Sequence, residues 1–458
     1  MASAIVCISD AIIVSNADMR PGSVLVEGER IAAILDKYDR PAADISIDAK
    51  GRLLFPGFID THVHFRDPGL TYKEDFASGS EAAACGGVTT VMCMPNTKPP
   101  IATREAFEMA RAAGETRSHV DFCLQGSITS ENLQAVPPLW GAGVSSFEIN
   151  LSDGAEGASV ERIDDHGLLL DILRLTADLR APLGMYTGSQ GITTREIKRL
   201  RDDLMRRDVR AHAEARPPIA EVVGIAAALE LALEADARVV FREVTTARGL
   251  ELLRRGKRDF APGQVTVEVT PHHMLVTAET LDRLGTAAQI VPPLRHEMHR
   301  AATVAAVRDG TVDIVGSDHA PHAESEKIED PWTSRNGTPG LESAAAVLLH
   351  FAHQGVLTYP DVCRLFSGAP AAAFGLSDRK GRISPGADAD LVLVDPRKRR
   401  AVGTGVVKSK MKRSALDGLE LTGWPVLTML RGAIIMKDGH MGAAPGGRFI
   451  AGPGIKGR

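Results

Sequence analysis

This 458-residue sequence predicts an α/β architecture: a TIM (β/α)8 barrel with a small β domain made from both chain ends. Two observations carry that expectation. Eight apolar, β-rich segments recur through the middle of the chain, with helical patterns between most of them, as parallel strands with helical crossovers require. Both ends are instead rich in short strands and tight turns. A third observation disfavours the main competitor, a doubly wound sheet: no GxGxxG turn follows the first strand of the middle.

The elements follow in order. Ala4–Ile8, Ile12–Val14 and Ser23–Glu27 are β-rich, and Gly28-Glu29-Arg30 reads as a turn. The eight candidate barrel strands are Leu53–His64, Val88–Met94, Val120–Gly126, Val144–Leu151, Leu183–Gly188, Arg238–Val244, Val265–Thr270 and Val312–Ser317. The spacing predicts a helix over Ile219–Glu234, with Val222, Val223, Ala226, Leu229, Leu231 and Leu233 as its apolar surface. Asp388–Asp395 and Ala433–Gly439 return to the β-rich pattern of the start. The expected limits are therefore 1–52 for the N-terminal part of the terminal β domain, 53–374 for the barrel, and 375–458 for the C-terminal part and tail.

Composition narrows the partners. With 44% hydrophobic and 24% charged residues and a net charge of -5, the chain has the makeup of a soluble globular protein. Nothing in that charge invites nucleic acid or an anionic membrane. The basic runs at 397–400 and 408–413 read as solvated loops. Five scattered cysteines without CxxC spacing fit neither a disulfide framework nor a thiolate metal site, and they suit a reducing cytoplasm. The start has no basic n-region, and no run of about 20 apolar residues could span a bilayer.

The chemistry concentrates at two strand ends. In Ile59-Asp60-Thr61-His62-Val63-His64-Phe65-Arg66, two histidines two apart point to one side of a strand and can face one metal ion. Far downstream, Val312-Asp313-Ile314-Val315-Gly316-Ser317-Asp318 repeats the plan with a carboxylate at the end. Barrels place their chemistry at the C-terminal ends of strands. An early HxH and a late aspartate on such a scaffold point to a metal-dependent hydrolase.

The segment HVHFRDPGLTYKEDFASGSEAAACGGVTTVMCMPNTKPP resembles the first part of dihydroorotase in the cyclic amidohydrolase family. AHAEARPPIAEVVGIAAALELAL, VTPHHMLV, VPPLRHEMHRAA, VDIVGSDHAPH, NGTPGLES and KGRISPGADADLVLVDP agree in the same order. The likeness extends to hydantoinase, dihydropyrimidinase and allantoinase. It implies that the terminal domain is a β-sandwich, and that a divalent metal serves the opening of a cyclic amide. Such a metal lowers the pKa of water to about 7 and polarises the carbonyl, while a carboxylate moves the proton. By this resemblance His62 and His64 are metal ligands, and Asp318 is both ligand and general acid/base. Arg66, Asn96 and His322 match positions that hold the substrate carboxylate. Guanidinium suits that task because it donates two parallel hydrogen bonds.

The departures from the family pattern carry further expectations. The strand-4 lysine position falls on Glu148, with Asp153 as an alternative in an SDDG-like turn. The strand-5 and strand-6 histidine positions fall on Tyr186 and Glu243. Ligands for one ion survive as His62, His64, Glu148 and Asp318, so one ion per chain, zinc by its acceptance of N and O donors, is expected. Glu243 keeps a second ion open. Val291 replaces an asparagine before PPLR, which removes a polar partner for the ring. His272 and His273 resemble a structural pair, and His212 braces a helix. Two functions stay open: a hydrolase of a carboxylated cyclic amide, or a non-catalytic scaffold beside an enzyme such as aspartate transcarbamoylase. The resemblance also implies a homodimer or homotetramer.

Overall fold

The structure is a computed structural model that describes residues 4–153, 161–442 and 444–457. Eight parallel strands form the barrel. They are β1 (Phe58–Val63), β2 (Val88–Cys93), β3 (Asp121–Leu124, continued by Gly126–Ser127), β4 (Phe147–Asn150), β5 (Leu183–Tyr186), β6 (Val239–Arg242), β7 (Val265–Val269) and β8 (Ile314–Val315). Each pairs with the next in parallel register. The ring closes where Val63 bridges His319 and the His64 N–H donates to the His319 carbonyl at 2.8 Å.

The expected first strand is two elements. Leu53–Pro56 pairs with Ile5–Val14 and Leu391–Ala401 outside the barrel, and β1 begins at Phe58. Gly57 is the joint. A Cβ there would lie 2.1 Å from Thr89 Oγ1 and 2.9 Å from Asp390 Cβ, so only glycine lets the chain pass. The sixth and eighth strands stop earlier than expected, at Arg242 and Val315. Glu243 (φ 52°) and Asp318 (φ 43°) then turn into the left-handed region, which no regular strand accommodates.

The helix expected at Ile219–Glu234 spans Pro218–Glu234, with a proline at its start where no backbone donor is needed. Its buried face differs from the expected one. Ala220, Gly224, Ile225, Ala228, Leu229 and Ala232 face inward, while Val223 and Leu233 are exposed. Small residues win because the helix runs against backbone: a Cβ on Gly224 would lie 2.4 Å from the Gly188 nitrogen.

Both chain ends build one nine-stranded sheet around a separate core that includes Val6, Ile8, Val24, Leu391 and Met429. This is the form taken by the terminal β-sandwich. A buried ion network ties it to the barrel. Lys380 Nζ lies 2.8 Å from Asp121 Oδ2 and 2.5 Å from Asp390 Oδ2, and Arg431 pairs with Asp121 as well. Asp121, Asp388 and Asp390 are close enough together to suggest an ion site. Lys380 and Arg431 already supply their counter-charge, and removing one partner of such a buried pair costs about 3–5 kcal/mol. The network is structural.

Inside the barrel the side chains form layers two residues apart along each strand, as strand alternation dictates. Ile59, Met92, Cys123, Val240 and Ile314 make an apolar floor with Phe374 and Ile450. Thr61, Gln125, Arg242 and Gly316 follow two residues further along the chain. The floor is apolar; the next layer is polar and hydrogen-bonded. No helix of the described residues is long and apolar enough to cross a membrane.

Candidate active site

The HxH pair and the late aspartate meet at the mouth of the barrel. Nitrogens of His62 and His64 and an oxygen of Asp318 all lie within 4.8 Å of one another, and all three residues are buried. His64 Nε2 is 3.0 Å from Asp318 Oδ1, and His62 Nε2 is 3.6 Å from the same oxygen. The two rings stand 5.3 Å apart. An irregularity between Asp60 and Val63 loosens β1 here. Asp60 Oδ1 braces it by accepting from the His62 and Ser317 N–H groups at 3.1 and 3.0 Å, which ties the ends of β1 and β8 together.

Each imidazole is oriented from behind. His62 Nδ1 donates to Glu268 Oε1 at 2.8 Å, and His64 Nδ1 donates to Asn96 Oδ1 at 2.7 Å. With both Nδ1 atoms engaged, the Nε2 lone pairs are left for a cation, the arrangement typical of ligating histidines. A fourth donor faces the same space. Glu243 Oε1 is 3.8 Å from His62 Nε2, is fully buried, and has no hydrogen-bond partner among the described residues. Two imidazoles, one ionised carboxylate and one orphaned carboxylate oxygen fit a divalent ion of the zinc type.

The electrostatics separate the two carboxylates. Burial opposes the Asp318 charge, yet the two imidazoles beside it, His64 first and then His62, hold its carboxyl well below the usual range. Burial, and then the Asp318 charge beside it, push Glu243 well above its usual range. The two carboxyls are pushed in opposite directions, which is the response of two acids crowded into one site. Arg66, Glu243 and Asp318 all have left-handed backbones, at φ 59°, 52° and 43°. Such non-glycine strain costs of order 1–3 kcal/mol each and clusters at functional sites.

Glu148 does not join the imidazoles. It lines the same cleft, but its Oε1 is 2.6 Å from Arg242 Nη2 and its Oε2 is 3.3 Å from Arg242 Nε. A carboxylate whose two oxygens are held by one guanidinium is already neutralised, and Glu243 is the acid left facing the imidazoles. The alternative, Asp153, points elsewhere: Arg162 and Gln190 hold it at 2.8 and 2.6 Å on the exposed side of the loop. Tyr186 lines the cleft, and burial followed by the nearby Glu243 keeps its hydroxyl protonated.

On the substrate side, Arg66, Asn96 and Val291 line the cleft. His322 stands behind them, fully buried, with Nε2 3.1 Å from Arg66 Nη2 and Nδ1 3.2 Å from Lys73 Nζ. It orients Arg66 rather than facing the opening. Of the other histidines, His273 bonds Thr270 and the Pro292 carbonyl, as a structural residue does. His212 packs against Trp332.

Two functional side chains escaped the motif reading. Glu268 and Arg242 are lone charges in the apolar runs Val265–Val269 and Val239–Arg242. A charge at an inward strand position was the available signal.

A barrel whose open mouth gathers imidazoles and carboxylates in this way is a metal-dependent hydrolase. Comparison with known proteins narrows the class. Residues 53–435 match the amidohydrolase family. A dihydroorotase of Methanosarcina mazei is 34% identical over 451 residues, 96% of each chain. An allantoinase of Rubrobacter xylanophilus is 34% identical over 407 residues, 88% of each chain. The L-hydantoinase of Arthrobacter aurescens superposes with a TM-score of 0.93 at 29% identity, covering 98% of this chain and 100% of that one. The chain belongs to the amidohydrolase family, and within it is a cyclic amidohydrolase, an enzyme acting on the C–N bond of a cyclic amide.

Proposed function

We propose that the enzyme opens a cyclic amide bearing a carboxylate, of the dihydroorotate kind, at a site holding one divalent ion. The observation that carries this reading is the convergence of His62 Nε2, His64 Nε2 and Asp318, each imidazole fixed through its other nitrogen. Glu243 completes the group, and zinc suits its N and O donors. When bound, the cation supplies Lewis acidity that activates water and polarises the amide carbonyl.

The chain's own residues do the rest. Asp318, ionised and beside both imidazoles, accepts the proton of the attacking water and delivers it to the ring nitrogen as the C–N bond breaks. Arg66 receives the substrate carboxylate, His322 Nε2 accepts from Arg66 and holds it in place, and Val291 forms an apolar wall for the ring.

Arg66→Met tests the substrate class. A hydrogen bond to a charged group contributes about 1.5–3 kcal/mol, so KM for dihydroorotate rises by about 10- to 100-fold. For an uncharged hydantoin it changes by less than about threefold. Equal effects on both rings would remove Arg66 from carboxylate recognition and leave an uncharged substrate.

A further inference from the structure

The polar layer beneath the ion site contains a permanent cation of its own. Arg242 is 2% exposed at the end of β6. Its Nη1 lies 2.6 Å from Glu268 Oε2 and 3.3 Å from the Thr61 carbonyl. Its Nη2 lies 2.6 Å from Glu148 Oε1 and 2.9 Å from Gln125 Oε1. Thr61 Oγ1 donates to the same Glu268 oxygen at 2.7 Å. Glu268 Oε1 is thereby left for His62 Nδ1. Two glycines make room for this layer: a Cβ on Gly184 would lie 2.0 Å from Glu148 Oε2, and one on Gly316 would lie 2.8 Å from Glu268 Oε2.

We infer that Arg242 is a positioning residue standing where a second cation would otherwise be needed: it consumes Glu148, fixes Glu268, and through Glu268 locks His62 with Nδ1 protonated and Nε2 facing the ion. This inference rests on the one-ion reading above and explains it. Two buried carboxylates below the imidazoles require positive charge, because an unpaired buried charge is strongly unfavourable. A guanidinium forked between them supplies it permanently, with fixed geometry that a lysine cannot copy. The site then takes one exchangeable ion instead of two, and the affinity for that ion depends on a residue that does not touch it.

The test is ion binding by the full-length protein, read by zinc competition against a chromophoric chelator, together with the ring ¹⁵N shifts of His62. Arg242→Gln is expected to weaken zinc binding by about 10- to 100-fold, the usual effect of disturbing the partner of a ligating histidine. The His62 shifts should move from a single Nδ1–H tautomer toward a mixture. Arg242→Lys should recover part of the affinity. Glu268→Gln, which leaves Arg242 in place, should weaken zinc binding to a similar degree. Glu148→Gln should change zinc affinity by only a few-fold. Unchanged affinity and tautomer in folded Arg242→Gln would overturn the inference. So would loss of the ion in Glu148→Gln, since Glu148 would then be a ligand. If Arg242→Gln does not fold, the Glu268 and Glu148 variants decide between these outcomes. Two zinc ions per wild-type chain would instead refute the one-ion reading itself.

Discussion

Asp318→Asn is expected to lower kcat for ring opening by about 10²- to 10⁴-fold, the range for losing a positioned general acid/base. The amide cannot accept a proton from water or return one to the ring nitrogen. It also withdraws the negative charge that lies 3.0 Å from His64 Nε2. The fold should persist, because the side chain faces the cleft and the surrounding frame is held by Asp60, Ser317 and the barrel ladder. Steady-state kinetics with matched circular dichroism checks this. Retention of more than about a tenth of the wild-type kcat would place the proton shuttle elsewhere, and Glu243 would be the next candidate. The backbone at Asp318 makes a second, smaller point. Its φ of 43° suits asparagine better than most residues, so the substitution adds little strain.

Removal of the ion should abolish turnover altogether. Dialysis against a strong chelator is expected to leave ring opening below about a thousandth of its starting rate. One equivalent of zinc or manganese per chain should restore it. The physical ground is the crowding of Glu243 against Asp318, whose charge disfavours a second negative charge beside it. A divalent ion relieves that repulsion, so its binding also stabilises the fold by mass action. The chelated protein should therefore melt at a lower temperature than the reloaded one. Full activity after chelation, with no ion detected, would contradict the metal-dependent account.

The parts of the site legible in the sequence are those fixed by local geometry. His62 and His64 are two apart on a strand, so their shared side follows from alternation alone. Asp318 follows an apolar strand, and barrel architecture puts such a residue at the same mouth. The barrel and the sheet from both ends were legible for the same reason, since period and turn chemistry are local. What was not legible depends on partners far apart in the chain. The pairing of Glu148 with Arg242, 94 residues later, is one such contact. The backbone turn at Glu243, φ 52°, brings that side chain toward His62, and strand periodicity has no access to a left-handed residue. The split of Leu53–His64 at Gly57 is similar: an unbroken apolar run conceals a joint whose only mark is one glycine pressed against Thr89.

Ion position and number are best measured together, by anomalous diffraction at the absorption edge of the bound metal in crystals of the native enzyme. The account predicts one peak per chain, bounded by Nε2 of His62, Nε2 of His64 and the Asp318 carboxylate, with Glu243 nearest as the fourth group and Arg242 still paired to Glu148. Two peaks per chain, or a single peak on Glu148 with Arg242 displaced, would contradict it.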